Sequence, residues 1–259
     1  SRHMGAGMEF RDYRGYAPGD DLRAIDWNIY RRLGRVFLRL FEEFEDLPVY
    51  LAPDISRSMF LGDRPRAHAG LQAAFALAAA SLNHHDSVGL FPFADQMRVA
   101  LQARSGRVRL MRMAEALASQ QPGGTTNFKD SLGKFASMGM RPGLLIVVSD
   151  FFDPSGLDAV RESLSRQRHR LLLVQLCRKT DRNPDLTGDL LLRDCENGQE
   201  HDVSVTADVL AAYQRAYEGF ETQLHQIAMS QQAGLVRMDV DEPVVPQLST
   251  LFETGAYVV

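Results

Sequence analysis

Three short clusters of oxygen-bearing side chains stand out: Asp54-Ile55-Ser56-Arg57-Ser58, Gly123-Gly124-Thr125-Thr126-Asn127 and Ser149-Asp150. Carboxylates and hydroxyls are hard donors that suit Mg2+ or Mn2+ rather than the soft metals that thiolates select. Positions 54, 56 and 58 converge on one point if the loop after Asp54 curls around it. Mg2+ requires near-octahedral geometry and keeps several waters, so few direct carboxylate bonds suffice. Neutral hydroxyls leave positive charge on such an ion, which then accepts a further anion such as another protein's carboxylate.

Each cluster lies where a strand ends or a helix begins. Val49 to Ala52 is a short apolar run ending at Asp54, and Leu144-Leu145-Ile146-Val147-Val148 leads into Ser149-Asp150. Runs such as 144–148 and 171–176 read as strands buried on both faces. Helical spacing over 66–83, 108–119, 128–138 and 157–167 alternates with them. The pattern predicts an α/β fold with a doubly wound, mostly parallel sheet. Ligands of such sheets bind beyond the carboxyl ends of the strands, at the topological switch point, which is where the clusters fall.

Further elements complete this domain, 48–259. A strand over 88–93 has 97–101 returning beside it. A hairpin over 190–205, within an insertion of about 183–205, turns at Asn197-Gly198. A long helix over 206–232, capped by Thr206 or Ser204, a strand over 235–240 and a short helix over 245–252 follow. Residues 5–47 hold too little apolar material for a core of their own and read as a β-rich extension, with a strand over 35–41. Trp27, the single tryptophan, is expected to pin that extension to the core, with Asp26 paired to an arginine. The arginines at 11, 14, 23, 31, 32, 35 and 39 are interleaved with acidic residues, the pattern of internal ion pairs rather than of a nucleic-acid surface. Ser1-Arg2-His3-Met4 reads as an expression scar, so a targeting or membrane segment upstream of Gly5 is compatible with the chain.

The formal net charge of −4 over 259 residues argues against a dedicated nucleic-acid binder. It conceals a basic front, with eight basic and five acidic groups in residues 1–39, and an acidic tail, with two and seven in 206–259. Two cysteines, Cys177 and Cys195, cannot build a disulfide scaffold, and a reducing, cytoplasmic setting is expected. No stretch reaches the roughly 18–20 apolar residues of a membrane-spanning helix. There is no Gly-x-Gly-x-x-Gly after a strand, Walker A loop, His-Glu-x-x-His or Gly-x-Ser-x-Gly, and no general base or activated nucleophile beside the two carboxylates.

Asp-x-Ser-x-Ser at 54–58, a threonine in Gly-Gly-Thr-Thr-Asn-Phe and an aspartate after a hydrophobic strand resemble the metal-ion-dependent adhesion site of von Willebrand factor type A domains, which are Rossmann-like. The resemblance implies a metal set of Asp54, Ser56, Ser58, Thr126 and Asp150, with Thr125 the second choice to Thr126. Glu9-Phe10-Arg11-Asp12-Tyr13-Arg14 and Tyr16-Ala17-Pro18-Gly19-Asp20-Asp21-Leu22-Arg23-Ala24-Ile25-Asp26-Trp27 are similar to the opening of a bacterial family, domain of unknown function 58. Members of that family carry a von Willebrand type A-like domain and are commonly encoded beside MoxR-type AAA+ ATPases. Pro53 departs from the aliphatic residue usual before the aspartate; it removes a backbone donor and is expected to tilt the loop.

These readings imply a non-enzymatic, Mg2+- or Mn2+-dependent protein-interaction module. Its expected partner is a MoxR-type ATPase or that ATPase's client, in protein assembly or maturation. The alternatives are a Mg2+- or Mn2+-dependent hydrolase acting on a phosphoester, and a metal-free scaffold.

Overall fold

The computed structural model describes residues 8–43, 46–106 and 108–253; Ser1 to Met4 lie outside them. The chain divides into two compact units, Ser1–Asp46 and Leu47–Val259.

In the first unit, strands β1 (Met8–Gly15) and β2 (Phe37–Glu43) pair antiparallel. Their connection carries a 3-10 turn over Leu22–Ala24 and a helix, α1 (Trp27–Leu33), which the sequence reading did not foresee. The helix is set by its ends. The Asp26 carboxylate accepts the Asn28 and Ile29 amides, and Gly34 takes the left-handed conformation (φ 65°) that closes the last turn. Trp27 is 59% exposed and meets Tyr30 edge-on within this unit, with ring centroids 6.1 Å apart. Asp26 is the helix cap, and Ile25 and Leu38, bridged across the connection, are the buried apolar residues. Among the described residues the expected ion pairing is seen between Arg14 and Asp20, at 2.7 Å. The Ala17 amide and Arg14 hold the Asp20 carboxyl below its usual range.

The second unit runs β3 (Pro48–Pro53), α2 (Arg66–Asn83), β4 (Ser87–Leu90), β5 (Leu101–Arg104), α3 (Val108–Ala118), α4 (Phe128–Ser137), β6 (Leu144–Ser149), α5 (Leu157–Ser165), β7 (Arg170–Cys177), α6 (Lys179–Arg182), β8 (Gly188–Arg193), β9 (Glu200–Val205), α7 (Ala207–Ser230), β10 (Gly234–Asp239) and α8 (Val244–Glu253). Six strands form one sheet in the order β10-β7-β6-β3-β4-β5, parallel except for β5. From central β3 the chain winds first to β4 on one side, then to β6, β7 and β10 on the other. The winding direction therefore reverses between β3 and β6, which opens a crevice at their carboxyl ends.

Alternation along the strands sends side chains to two cores. Val49, Leu51, Ile146, Val148 and Val174 face α2, α3 and α8, whereas Tyr50, Ala52, Leu145, Val147 and Leu173 face α4, α5 and α7. Burying each such side chain fully contributes about 1.5–3 kcal/mol, so both faces hold the sheet firmly beneath the loops. The alanine-rich α2 lies close on the sheet: a Cβ at Gly70 would stand 2.8 Å from Leu176 Cδ1.

The chain continues in register through Pro53. Its carbonyl accepts the Phe93 amide (3.0 Å), and the next two rungs are made by Asp54 to Val148 (2.8 Å) and Ile55 to Phe93 (2.7 Å). The flanking bonds hold the strand end where a tilt was expected. The hairpin β8–β9 forms, but Asn197-Gly198 is not a two-residue turn: Arg193 pairs Glu200, leaving a six-residue tip over 194–199. Among the described residues no helix is long and apolar enough to cross a membrane.

Candidate functional site

Asp54 stands directly beyond β3 and Ser149-Asp150 at the end of β6, adjacent strands at the point of reversal. All three are buried. Asp54 Oδ1 accepts the Ser56 amide (2.8 Å), which curls the loop back, and the Ser56 and Ser58 hydroxyls then lie 3.1 Å apart. Asp54 Oδ2 accepts the Ser149 hydroxyl at 2.7 Å. Ser149 Oγ in turn accepts the Phe151 amide (3.0 Å), and Asp150 Oδ1 accepts that of Phe152 (3.2 Å). Phe151 sits at φ 63°, unusual for a non-glycine residue, and is held there by complete burial and by stacking on Phe128.

The Gly-Gly-Thr-Thr loop is fastened to the first. The Gly123 amide donates to the Ile55 carbonyl (2.6 Å) and the Arg57 amide to the Gly124 carbonyl (3.0 Å). Glycine is needed at 123, because a Cβ there would stand 2.6 Å from Ala94 Cβ. Asn127 caps α4 through the Asp130 amide (2.9 Å), which leaves Thr126 in the crevice wall, 2% exposed. Thr125 is less buried. The five residues singled out in the sequence, Asp54, Ser56, Ser58, Thr126 and Asp150, thus line one crevice, held by backbone bonds between their own loops.

Three contributors lie outside that set of five. Ser149 belongs to the third oxygen-bearing cluster and joins it to Asp54. Arg66, in the first turn of α2, is hydrogen-bonded to Asp181 and places Nη1 4.0 Å from Asp150 Oδ2. Its Nε is buried with no hydrogen-bond partner. Glu196, at the hairpin tip, accepts the Ser58 hydroxyl at Oε1 (2.8 Å) and the Thr126 amide at Oε2 (3.3 Å).

The electrostatics follow from burial. Loss of water pushes the Asp54 carboxyl up to about 6, outweighing hydrogen bonds from Ser149 and Ser56 that pull it down; the Glu196 charge adds to the rise. Burial and then the Asp54 charge push Asp150 up to about 7, against the pull of Arg66. Desolvation wins at both and disfavours their charged forms, which Arg66 offsets only in part at Asp150. Protons or a cation would relieve this cost. Among the described residues no three His, Cys, Asp or Glu side chains are grouped to hold a metal. A cation here would rest on two carboxylates, hydroxyls and water, a hard set without thiolate or imidazole. Both cysteines are free, half-buried thiols; Cys177, at the end of β7, is pushed up to about 11 by burial, and Cys195 adjoins Glu196 at the hairpin tip. A cavity of about 750 Å3 between α2, α3 and α8 lies elsewhere; Phe60, Leu71, Phe75 and Val244 line it and no carboxylate does.

The model of the family described as "Protein of unknown function DUF58" matches residues 12–223, spanning β1 to the middle of α7. The chain belongs to this family. Uncharacterized proteins of Mycobacterium tuberculosis and Mycobacterium bovis are each 25% identical over 217 residues, 82% of this chain and 68% of theirs. The conserved hypothetical protein BatB of Bacteroides thetaiotaomicron, a crystal structure, aligns with TM-score 0.52 and 16% identity over 81% of this chain and 97% of that one. This likeness is one of fold. The family match includes all three loops of the crevice and the hairpin tip.

Proposed function

We propose that this member of the family is a cation-dependent protein-interaction module in which Asp54, Ser56, Ser58, Thr126 and Asp150 hold Mg2+ or Mn2+, directly or through water. The observation that carries the reading is the pair of buried carboxylates, Asp54 and Asp150, at the ends of adjacent strands at the switch point, with the paired Ser56 and Ser58 hydroxyls in the loop that Asp54 opens. Their two negative charges match a divalent cation, and the hydroxyls add donors without charge. An ion so held keeps affinity for one more carboxylate. The partner is then a protein presenting Asp or Glu.

From the family resemblance we take a MoxR-type AAA+ ATPase or its client as that partner. The reading as an adaptor rather than an enzyme rests on the same loops: the crevice supplies ligands and hydrogen bonds, and its acids are engaged by Ser149, Ser56 and Phe152.

The test is the affinity of the purified chain for a co-encoded MoxR-type ATPase in Mg2+, in EDTA, and in Mg2+ with Asp54→Ala. Binding should be strong only in the first. Equal affinity in all three refutes a cation bridge and leaves a metal-free scaffold. Phosphoester turnover lost in Asp150→Ala would instead establish the hydrolase.

A further inference from the structure

The hairpin β8–β9 is a two-stranded sheet of its own. Leu191 is 60% exposed and Leu192 42%, whereas Leu190 and Val203 are half-buried, so the body of the hairpin is covered only in part. An isolated two-stranded hairpin is marginal in water and needs anchors. At its tip Cys195 and Glu196 are half-buried between exposed neighbours.

The tip is shaped to present Glu196. Asp194 Oδ1 accepts the Glu196 amide (2.8 Å), and the Gly198 amide closes back on the Asp194 carbonyl (2.9 Å). Gly198 takes φ 75°, which the reversal requires. The two residues added beyond a tight Asn-Gly turn, Cys195 and Glu196, are those that reach inward. Glu196 Oε1 then accepts the hydroxyls of Ser58 (2.8 Å) and Thr126 (3.3 Å), and Oε2 the Thr126 amide (3.3 Å). Three donors from two loops, 138 and 70 residues away in sequence, converge on one carboxylate. Both hydroxyls belong to the proposed cation set, and each donates its proton toward Glu196 while keeping lone pairs for an ion.

We infer that Glu196 is the resident carboxylate ligand of this site: the hairpin carries, in the same chain, the group that an interacting protein would otherwise supply. The inference rests on the cation-dependent reading above and adds its regulation. A tethered carboxylate acts at an effective concentration in the millimolar range, so it outcompetes weak or free carboxylates. A true partner must displace the tip, by a stronger acidic ligand or by drawing the exposed hairpin away. The occupied site is closed, and lifting the hairpin opens it.

Mn2+ titration of the EDTA-treated full chain tests this, with water-proton relaxation reporting affinity and hydration of the bound ion. Wild type, Glu196→Ala, Glu196→Gln and Asp54→Ala are compared. Glu196→Gln keeps an oxygen acceptor for Ser58 while removing the charge, so it guards against a collapsed tip. Both Glu196 variants should bind Mn2+ roughly tenfold more weakly, as expected for loss of one charged ligand. Their bound ion should carry at least one more exchanging water. Acetate should then lower that hydration in the Glu196 variants at concentrations that leave wild type unchanged. Mn2+ binding that disappears in Asp54→Ala but is identical, in affinity and hydration, in wild type and both Glu196 variants would overturn this inference and leave the cation site standing. Absence of Mn2+ binding to wild type, or binding indifferent to Asp54→Ala, would overturn the cation reading and this inference with it.

Discussion

The Ser149 hydroxyl donates to the Asp54 carboxylate across the ends of two adjacent strands, Oγ to Oδ2 2.7 Å, with both residues buried. The same oxygen accepts the Phe151 amide, so one hydroxyl joins the two acidic loops and supports the left-handed residue after Asp150.

Ser149→Ala leaves a buried carboxylate oxygen and a buried amide without this partner. It should destabilise the fold by about 1–3 kcal/mol, the usual cost of stranding such groups. Urea unfolding at neutral pH in EDTA measures it, and an unchanged midpoint would show that the bond contributes nothing.

Asp54 and Asp150 titrate near 6 and 7 in the folded state, above the roughly 3.9 of an unfolded aspartate. Between those limits the folded chain binds more protons than the unfolded one. The stability these two groups contribute is therefore full below about pH 4 and is lost as pH rises through 6 and 7. In EDTA, the Asp54→Asn, Asp150→Asn double variant should gain on wild type by a few kcal/mol between pH 5 and pH 8. Mn2+ should reverse the trend for wild type alone, because the ion needs both carboxylates ionised. Parallel stability profiles in EDTA would contradict the charge burden assigned to this pair.

Gly123→Ala forces a methyl group to within 2.6 Å of Ala94 Cβ and 3.1 Å of the Ile55 carbonyl. The two loops must separate, at about 1–3 kcal/mol in stability and with weaker Mn2+ binding. Gly133→Ala is the control: it lies within α4, its new Cβ meets nothing within 4 Å, and it should stabilise by about 0.5–1 kcal/mol. Thermal or urea unfolding of the pair should move in opposite directions; equal shifts would remove the loop-contact argument.

Arg66 places positive charge 4.0 Å from Asp150 while bonded to Asp181. Arg66→Met should lower stability at pH 8 in EDTA by about 1–3 kcal/mol, since two acids lose their cationic neighbour. The same change should strengthen Mn2+ binding, because a competing charge is gone. Calorimetric titration beside unfolding curves reads both. Parallel losses in stability and affinity would make Arg66 a structural support rather than an electrostatic competitor.

Much of the architecture was legible because its signals are local. Runs such as Leu144 to Val148 announce strands covered on both faces, and the predicted helix over 66–83 matches α2 to the residue. Asp54, Thr126 and Asp150 were legible because each sits within two residues of such an element, and Ser56 and Ser58 because they alternate with Asp54 in the loop that follows β3. Helix α1 was missed because its evidence lies in two end residues, Asp26 and Gly34, around a stretch with little apolar periodicity. The hairpin itself was legible but its tip was not: Asn197-Gly198 is a strong turn signal, whereas pairing of Arg193 with Glu200 depends on strand register.

The sequence by itself determined most elements of the second unit, the doubly wound, mostly parallel class of its sheet and the supply of oxygen donors after its strands, since apolar periodicity and turn residues are short-range signals. Only the tertiary structure decided how those donors are charged and what faces them. Burial raises Asp54 and Asp150, Arg66 approaches from another helix, and Glu196 arrives on Ser58 from 138 residues away. Desolvation and long-range contact depend on the packed whole, and no local pattern encodes them.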